Sequence, residues 1–356
     1  MKIIFIADDL TGALDSSVAF CGRGLSVLCA LSPSQLGRAL DRGPDVVAVS
    51  TNSREAAESK SILAVQQIID DINARPEWRD AVIFKKVDSR LKGHIEAEVD
   101  ILFRGRSNII VCPAIPRLGR LVKNGAIYGT GIETPIDVAQ RTGVAASCVP
   151  DAACDADLDA VLATIDMTTL FVGAAGLAEA LARKIAPAIA AQTPVDLHCP
   201  ALFAIGSRDP VTLAQLEGFC PIFAPNGNVP AARKNSDQIQ VVQMTPGAIA
   251  VDPQLAGQRF VDGISAWLTL NPPATLLACG GESAAALMRK VGCGLLKVEG
   301  EILTGLPVSQ MIDGIEGMKI ITKSGGFGAA DTLHKLAQKL NDKGYSLEDC
   351  PDKRSA

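Results

Sequence analysis

KIIFIADDLTGALD, residues 2–15, decides the fold. Its opening run, 2–7, is apolar, too short for a helix, and closed at once by two acids. A strand buried on both faces of a parallel sheet reads this way. ADDLTGA then leads into a helix expected over 12–22, with Thr11 and Gly12 near its N-terminus. Strands follow at 25–30, 45–50, 81–86, 108–112 and 169–173. Helices are expected over 34–41, 55–75, 94–104, 158–165 and 174–186. The stretch 187–200, rich in Pro and Ala, is the best linker candidate. After it, strands at 201–207, 220–224, 239–243, 275–281 and 317–323 alternate with helices at 210–217, within 248–268, and at 282–291 and 329–341. The rhythm implies an α/β protein of two domains, each a mostly parallel sheet flanked by helices. The expected division is 1–195, 196–345 and a polar tail, 346–356. A length of 356 residues agrees, because one core rarely grows past ~250–300 residues. Only 116–150 loses the rhythm, in a glycine-rich excursion.

Composition narrows the function. Hydrophobic residues make up 48% and charged residues 21%, and the net charge is −5. Packed cores are expected, and a nucleic-acid partner is not, since no large basic footprint exists. No 18-residue apolar stretch suggests a membrane span, and the N-terminal run is too short for a signal peptide. A soluble cytoplasmic protein with reduced thiols follows, and homo-oligomerisation stays open. Ten cysteines are scattered without a CxxC, and there are three histidines. A metal site of Cys/His type has little support.

Ligands of parallel sheets bind outside the carboxyl ends of the strands. Asp8 and Asp9 follow the first strand. The third ends in TNSR (51–54), where Arg54 is a fork of donors suited to a carboxylate or phosphate. The fourth ends in KKVDSRLKG (85–93), which holds Lys86, Asp88, Ser89 and Arg90. CPAIPRLGR (112–120) brings Arg120 after the fifth. Solvated loops or a helix cap explain any one cluster, but less well all of them on one rim. The chemistry suggested is recognition of a small hydroxylated anion. Arg54 is the leading carboxylate anchor, assisted by Arg120 or Arg90. Asp8, Asp9 and Asp88 would hold hydroxyls. A general base would be Asp88 or Asp9, with Asp88 preferred because Lys86, Ser89 and Arg90 surround it. Lys86 would steady the substrate anion or a transferring phosphate.

The second half offers GSRDPVTLAQ (206–215), ACGGESAAALM (278–288) and TKSGGFGAADTL (322–333), each at a strand-to-helix junction. Such glycine turns present backbone N–H groups to phosphate. Candidate contacts are Ser207, Gly280, Gly281, Glu282, Ser283, Lys323, Ser324, Gly325, Gly326, Phe327 and Gly328, with Glu282 a candidate Mg²⁺ partner. Neither GxxxxGK[ST] nor GxGxxG is present, which disfavours a dinucleotide reductase.

Across nearly the whole chain these motifs resemble the four-carbon acid sugar kinase family. In the first domain the likeness rests on ADDLTGALD, TNSR, KKVDSRLKG, PAIPRLGR with Gly125, Tyr128 and Gly131, and GAAGLAEAL. In the second it rests on GSRDPVTLAQ, CGGESA, GEILTGLPV and TKSGGFG. The resemblance implies an N-terminal sugar-acid domain and a C-terminal nucleotide domain, which phosphorylate a terminal hydroxyl with ATP and Mg²⁺. The chain departs from the family at DSRLKG, where DSTLRG is usual, so that Arg90 replaces a threonine and Lys92 an arginine. It has GGES for GGDT, and Gly326 where Asn is common. The alternative is a weak or inactive sugar-acid-binding protein of the same fold.

Overall fold

The computed structural model describes residues 1–188, 195–231 and 238–341. The polar tail expected at 346–356 and part of the linker lie outside them. The chain divides into two compact units: 1–193 with 295–300, and 194–294 with 301–356.

The first unit runs β1 (Ile3–Ala7), α1 (Leu10–Cys21), β2 (Val27–Ala30), α2 (Leu36–Leu40), β3 (Val46–Ser50), α3 (Glu58–Asn73), β4 (Val82–Lys86), α4 (Ile95–Phe103) and β5 (Ile109–Cys112). It continues with β6 (Arg120–Lys123), β7 (Ala126–Gly129), β8 (Ile136–Asp137), α5 (Val138–Thr142), α6 (Asp155–Ala163), β9 (Leu170–Gly173) and α7 (Ala175–Ile185). The parallel strands lie in the order β2-β3-β1-β4-β9-β5. Every residue of β1, β3 and β4 is buried. Phe5 of β1 packs against Phe20 of α1 at 5.4 Å and Phe84 of β4 at 4.6 Å between ring centroids. Burying one such side chain contributes about 1.5–3 kcal/mol.

The second unit runs β10 (Ala201–Ile205), α8 (Pro210–Gln215), β11 (Ile222–Pro225), β12 (Ile239–Thr245), α9 (Pro253–Leu270), β13 (Thr275–Cys279) and α10 (Gly281–Lys290). Then come β14 (Leu295–Leu303), β15 (Leu306–Met311), β16 (Lys319–Lys323) and α11 (Thr332–Asn341). Its parallel order is β11-β12-β10-β13-β16, and β15 pairs antiparallel to β16. Phe203, Leu277, Ile321, Leu333 and Leu336 meet in its core.

Three features depart from the sequence expectations. Residues 295–300 return to the first unit, where Leu295–Val298 pairs antiparallel with β2, so the two units are not consecutive blocks. Within the glycine-rich excursion β6, β7 and β8 form an antiparallel sheet. Its first turn is Asn124-Gly125, both at positive φ (50° and 72°), a hairpin dipeptide readable in the sequence. Cys220 is disulfide-bonded, against the expectation of reduced thiols throughout; pairing depends on proximity in space, which scattered spacings do not encode. Among the described residues no helix is long and apolar enough to cross a membrane.

Gly129 ends β7 opposite Arg120 at φ 109°, where an added Cβ would overlap the Gly119 carbonyl. Gly125 has a left-handed backbone but open space around it. Gly129→Ala is therefore expected to destabilise the first unit by roughly 2–4 kcal/mol and Gly125→Ala by about 1–2 kcal/mol. Urea midpoints of the two variants check this, and equal losses would count against the overlap.

Candidate active site

Parallel strands bring their carboxyl ends to one edge, and in the first unit three loops converge there. Arg54, after β3, bridges the two aspartates after β1. Its Nε and Nη2 donate to the two oxygens of Asp8 at 2.8 and 2.7 Å, and its Nη1 donates to Asp9 Oδ2 at 2.9 Å. Burial alone would raise the Asp8 pKa, but Arg54, Lys85 and Lys86 hold it below the usual carboxylate value. Asp9 also caps α1: Oδ1 accepts from Gly12 N at 2.8 Å and Oδ2 from Thr11 Oγ1 at 2.7 Å. Lys86 reaches this helix start. A Cβ on Gly12 would lie 2.5 Å from Asp9 Oδ1 and 3.0 Å from Lys86 Nζ, so only glycine admits both.

Two expectations change here. Arg54 was the leading carboxylate anchor, yet its charge is committed to Asp8 and Asp9. Asp9 accepts three hydrogen bonds, so both of its oxygens are already engaged. Asp88 differs. It is half-buried, its Oδ1 accepts from Arg90 N at 2.8 Å, and Oδ2 has no hydrogen bond among the described residues.

The 86–93 loop folds back over the aspartates. Leu91 has φ 52°, and at Gly93 (φ 92°) a Cβ would sit 2.9 Å from Asp8 Oδ2. Ser89 is buried and accepts a hydrogen bond from Arg120 Nη1, while Arg120 Nε donates to Thr130 O at 3.0 Å. Arg90 and Arg120 flank Gly131, their Nη2 atoms 2.7 and 3.8 Å from where its Cβ would stand. Burial and the neighbouring Arg90 lower the Arg120 pKa, against the pull of Asp88. Neither guanidinium has an ion-pair partner among the described residues. Two unpaired cations side by side favour an incoming anion.

In the second unit the loops after the adjacent strands β10, β13 and β16 come together. Ser207, Gly280–Ser283 and Ser324–Gly328 share this edge. Gly280 (φ 107°) donates its N–H to Lys323 O at 2.9 Å. A Cβ on Gly206 would overlap Ser283 Oγ, and one on Gly325 would overlap Ser207 Oγ. The first turn of α10 leaves backbone N–H groups of Gly281, Glu282 and Ser283 without helical partners. Closely approaching glycines and such donors fit phosphate oxygens.

Lys323 does not face outward as expected. It is fully buried, and its Nζ donates to Thr212 Oγ1, Ser324 O and Gly325 O at 3.1, 3.2 and 3.4 Å. Burial lowers its pKa, partly offset by Cys279 and Asp209. It shapes the glycine loop from beneath. Thr212 and Gln215 of α8 do the same: Thr212 Oγ1 donates to Gly325 O at 2.6 Å, and Gln215 Nε2 to Phe327 O and Ala329 O at 3.1 and 2.7 Å. Sequence reading missed both, although two polar residues three apart on a short helix were a signal. Phe327 is half-buried beside Gly305. Glu282 is exposed, and the described residues hold no group of three or more metal-ligating side chains.

Fold and loops together define a two-unit α/β protein with a charged, anion-seeking edge in one unit and a glycine-rich edge in the other. Residues 3–146 match the sugar-binding N-terminal domain family, and residues 256–333 match the nucleotide-binding C-terminal domain family. A D-threonate kinase of Bordetella bronchiseptica is 28% identical over 96% of this chain and 98% of that protein. A 3-oxo-tetronate kinase of Methylobacterium radiotolerans is 24% identical, covering 92% and 96%. A solved Salmonella typhimurium structure shares the fold at a TM-score of 0.74 and 16% identity, covering 95% of this chain and 99% of its own. Over both units the chain is thus similar to kinases of four-carbon sugar acids.

One buried acid of this region had no assigned role. Asp15, on the inner side of α1, has an oxygen without a hydrogen bond, and Arg117 Nη2 stands 3.6 Å away. Burial raises its pKa and Asp9 adds to this, while Lys86 and Arg117 oppose it. The folded state therefore holds the Asp15 proton more tightly than the unfolded chain. Stability from this group is present below the unfolded pKa and is lost as pH rises through the folded one. Asp15→Asn is expected to raise the melting temperature at neutral pH, by roughly 2–4 °C per kcal/mol relieved, and to lose that advantage near pH 3. Melting curves at both pH values check it; a lower melting temperature at neutral pH would reverse the assignment.

Proposed function

We propose that the protein uses ATP and Mg²⁺ to phosphorylate a hydroxyl of a small, four-carbon sugar acid such as threonate, erythronate or an oxo derivative. One observation carries the reading: two guanidiniums, Arg90 and Arg120, without an ion-pair partner among the described residues, beside a carboxylate, Asp88, one oxygen of which has no hydrogen bond among them. The pair suits the acid end of the substrate and Asp88 suits a hydroxyl. The names of the relatives support the same substrate class.

In this reading Arg90 and Arg120 clamp the substrate carboxylate. Asp88 Oδ2 accepts the proton of the reacting hydroxyl as its oxygen bonds to the γ-phosphorus. The bond from that phosphorus to the bridging oxygen breaks, and ADP leaves. Lys86, at the end of β4 with its side chain at the start of α1, neutralises charge on the transferring group. Asp8 and Asp9, held by Arg54, keep the lysine and the loops in place. The N–H groups of Gly281, Glu282, Ser283, Gly325, Gly326 and Gly328 would hold the nucleotide phosphates, and the Glu282 carboxylate would help to hold Mg²⁺. Lys323 acts through the shape of its loop. Phosphoryl transfer needs alignment and charge neutralisation more than covalent help, and these residues supply both.

Asp88→Asn is expected to lower turnover by roughly 10²–10⁴-fold with the melting temperature unchanged. Arg120→Ala is expected to raise KM for the acid by about 10–100-fold, the loss of one charged hydrogen-bonded contact, and to leave KM for ATP alone. ADP release on a panel of four-carbon acids measures both. Full turnover in a stable Asp88→Asn protein would remove the base assignment. A thermal shift by an acid without ADP release would turn the reading to a binding protein of the same fold.

A further inference from the structure

Lys85 and Lys86 are consecutive residues of β4, so their side chains leave opposite faces of the sheet. Lys86 points to α1 and the reaction edge. Lys85 points to α4, where its Nζ lies 2.6 Å from Glu98 Oε2, with side-chain exposures of 0% and 1%. The other Glu98 oxygen, Oε1, accepts two buried hydroxyls, Ser53 Oγ at 3.0 Å and Ser61 Oγ. Ser61 belongs to α3. Ser53 belongs to the loop after β3 and directly precedes Arg54. The backbone N–H groups of Ser53 and Arg54 donate to Asp8 O at 3.0 and 3.4 Å, and the Thr51 and Ser53 hydroxyls lie 2.7 Å apart.

A buried ion pair is a costly way to fill a core, because desolvation offsets most of the attraction. Apolar side chains of equal volume would fill the same space at no such cost. What they would not do is hold a hydroxyl of the 51–54 loop in one direction. We infer that Glu98 is a positioning residue for the acid-binding edge. Fixed by Lys85, it holds Ser53, and Ser53 sets the backbone from which Arg54 reaches Asp8 and Asp9. The role rests on the sugar-acid reading of that edge.

Ser53→Ala and Ser61→Ala in the full-length protein separate positioning from plain stability. Each removes one hydroxyl from the same carboxylate oxygen, so a network that only holds the fold predicts similar losses of melting temperature and no change of KM in either. Positioning predicts that Ser53→Ala alone raises KM for threonate, on the order of tenfold, with KM for ATP unchanged. It also predicts faster amide exchange over 51–54 in Ser53→Ala, with Ser61→Ala like the parent. Equal behaviour of the two variants, or unchanged exchange over 51–54 in Ser53→Ala, overturns the inference. Should the parent protein phosphorylate no four-carbon acid, the sugar-acid reading fails by itself, and the exchange comparison alone decides whether Glu98 sets the loop.

Discussion

One guanidinium holds the charged edge of the first unit together. Arg54 spans the ends of β1 and β3 with three hydrogen bonds to two aspartates. Two carboxylates on successive residues after a buried strand would repel each other and resist burial. The fork of a single arginine answers both problems in one plane, as a lysine ammonium could not. Once Asp9 is so held, its remaining capacity caps α1, and the helix starts two residues earlier than the apolar pattern alone suggests. Once Asp8 is held, the 86–93 loop can close over it, with Gly93 giving the space.

This constraint redistributes the roles among charged residues. With its charge paired, Arg54 is a structural member of the edge, and Lys86, Arg90 and Arg120 are cations of this edge without an ion-pair partner among the described residues. The second unit repeats the logic with a different charge. Lys323 spends its three N–H donors on a hydroxyl and two carbonyls below the glycine loop, which ties that loop's carbonyls down. In both units the most conspicuous basic residue of the motif is spent on holding its own loop.

Much of this was legible beforehand. The alternation of short apolar strands with helices gave the α/β class and placed each parallel strand to within about two residues, because burial on both faces demands continuous apolar runs. It also located both groups of loops, since parallel strands must end on the same edge. The β6–β8 sheet is hidden in the sequence because its glycines resemble loop markers, although Asn124-Gly125 is a hairpin turn. The return of 295–300 to pair with β2 had no local signature, because strand pairing partners are chosen in space.

By itself the sequence determined which residues stand at the carboxyl ends of the strands: Asp8, Asp9, Arg54, Asp88, Arg90 and the three glycine turns. Period and polarity along the chain suffice for that. Only the tertiary structure decided which of them are already spent on one another. A hydrogen bond joins residues far apart in sequence, such as Arg54 with Asp8 or Glu98 with Ser53. Whether a charge is paired or free follows from that three-dimensional accounting. Arg54 and Lys323 look like ligand contacts in sequence and are held in the structure by their own neighbours, whereas among the described residues Asp88 Oδ2 has no hydrogen bond and neither Arg90 nor Arg120 has an ion-pair partner.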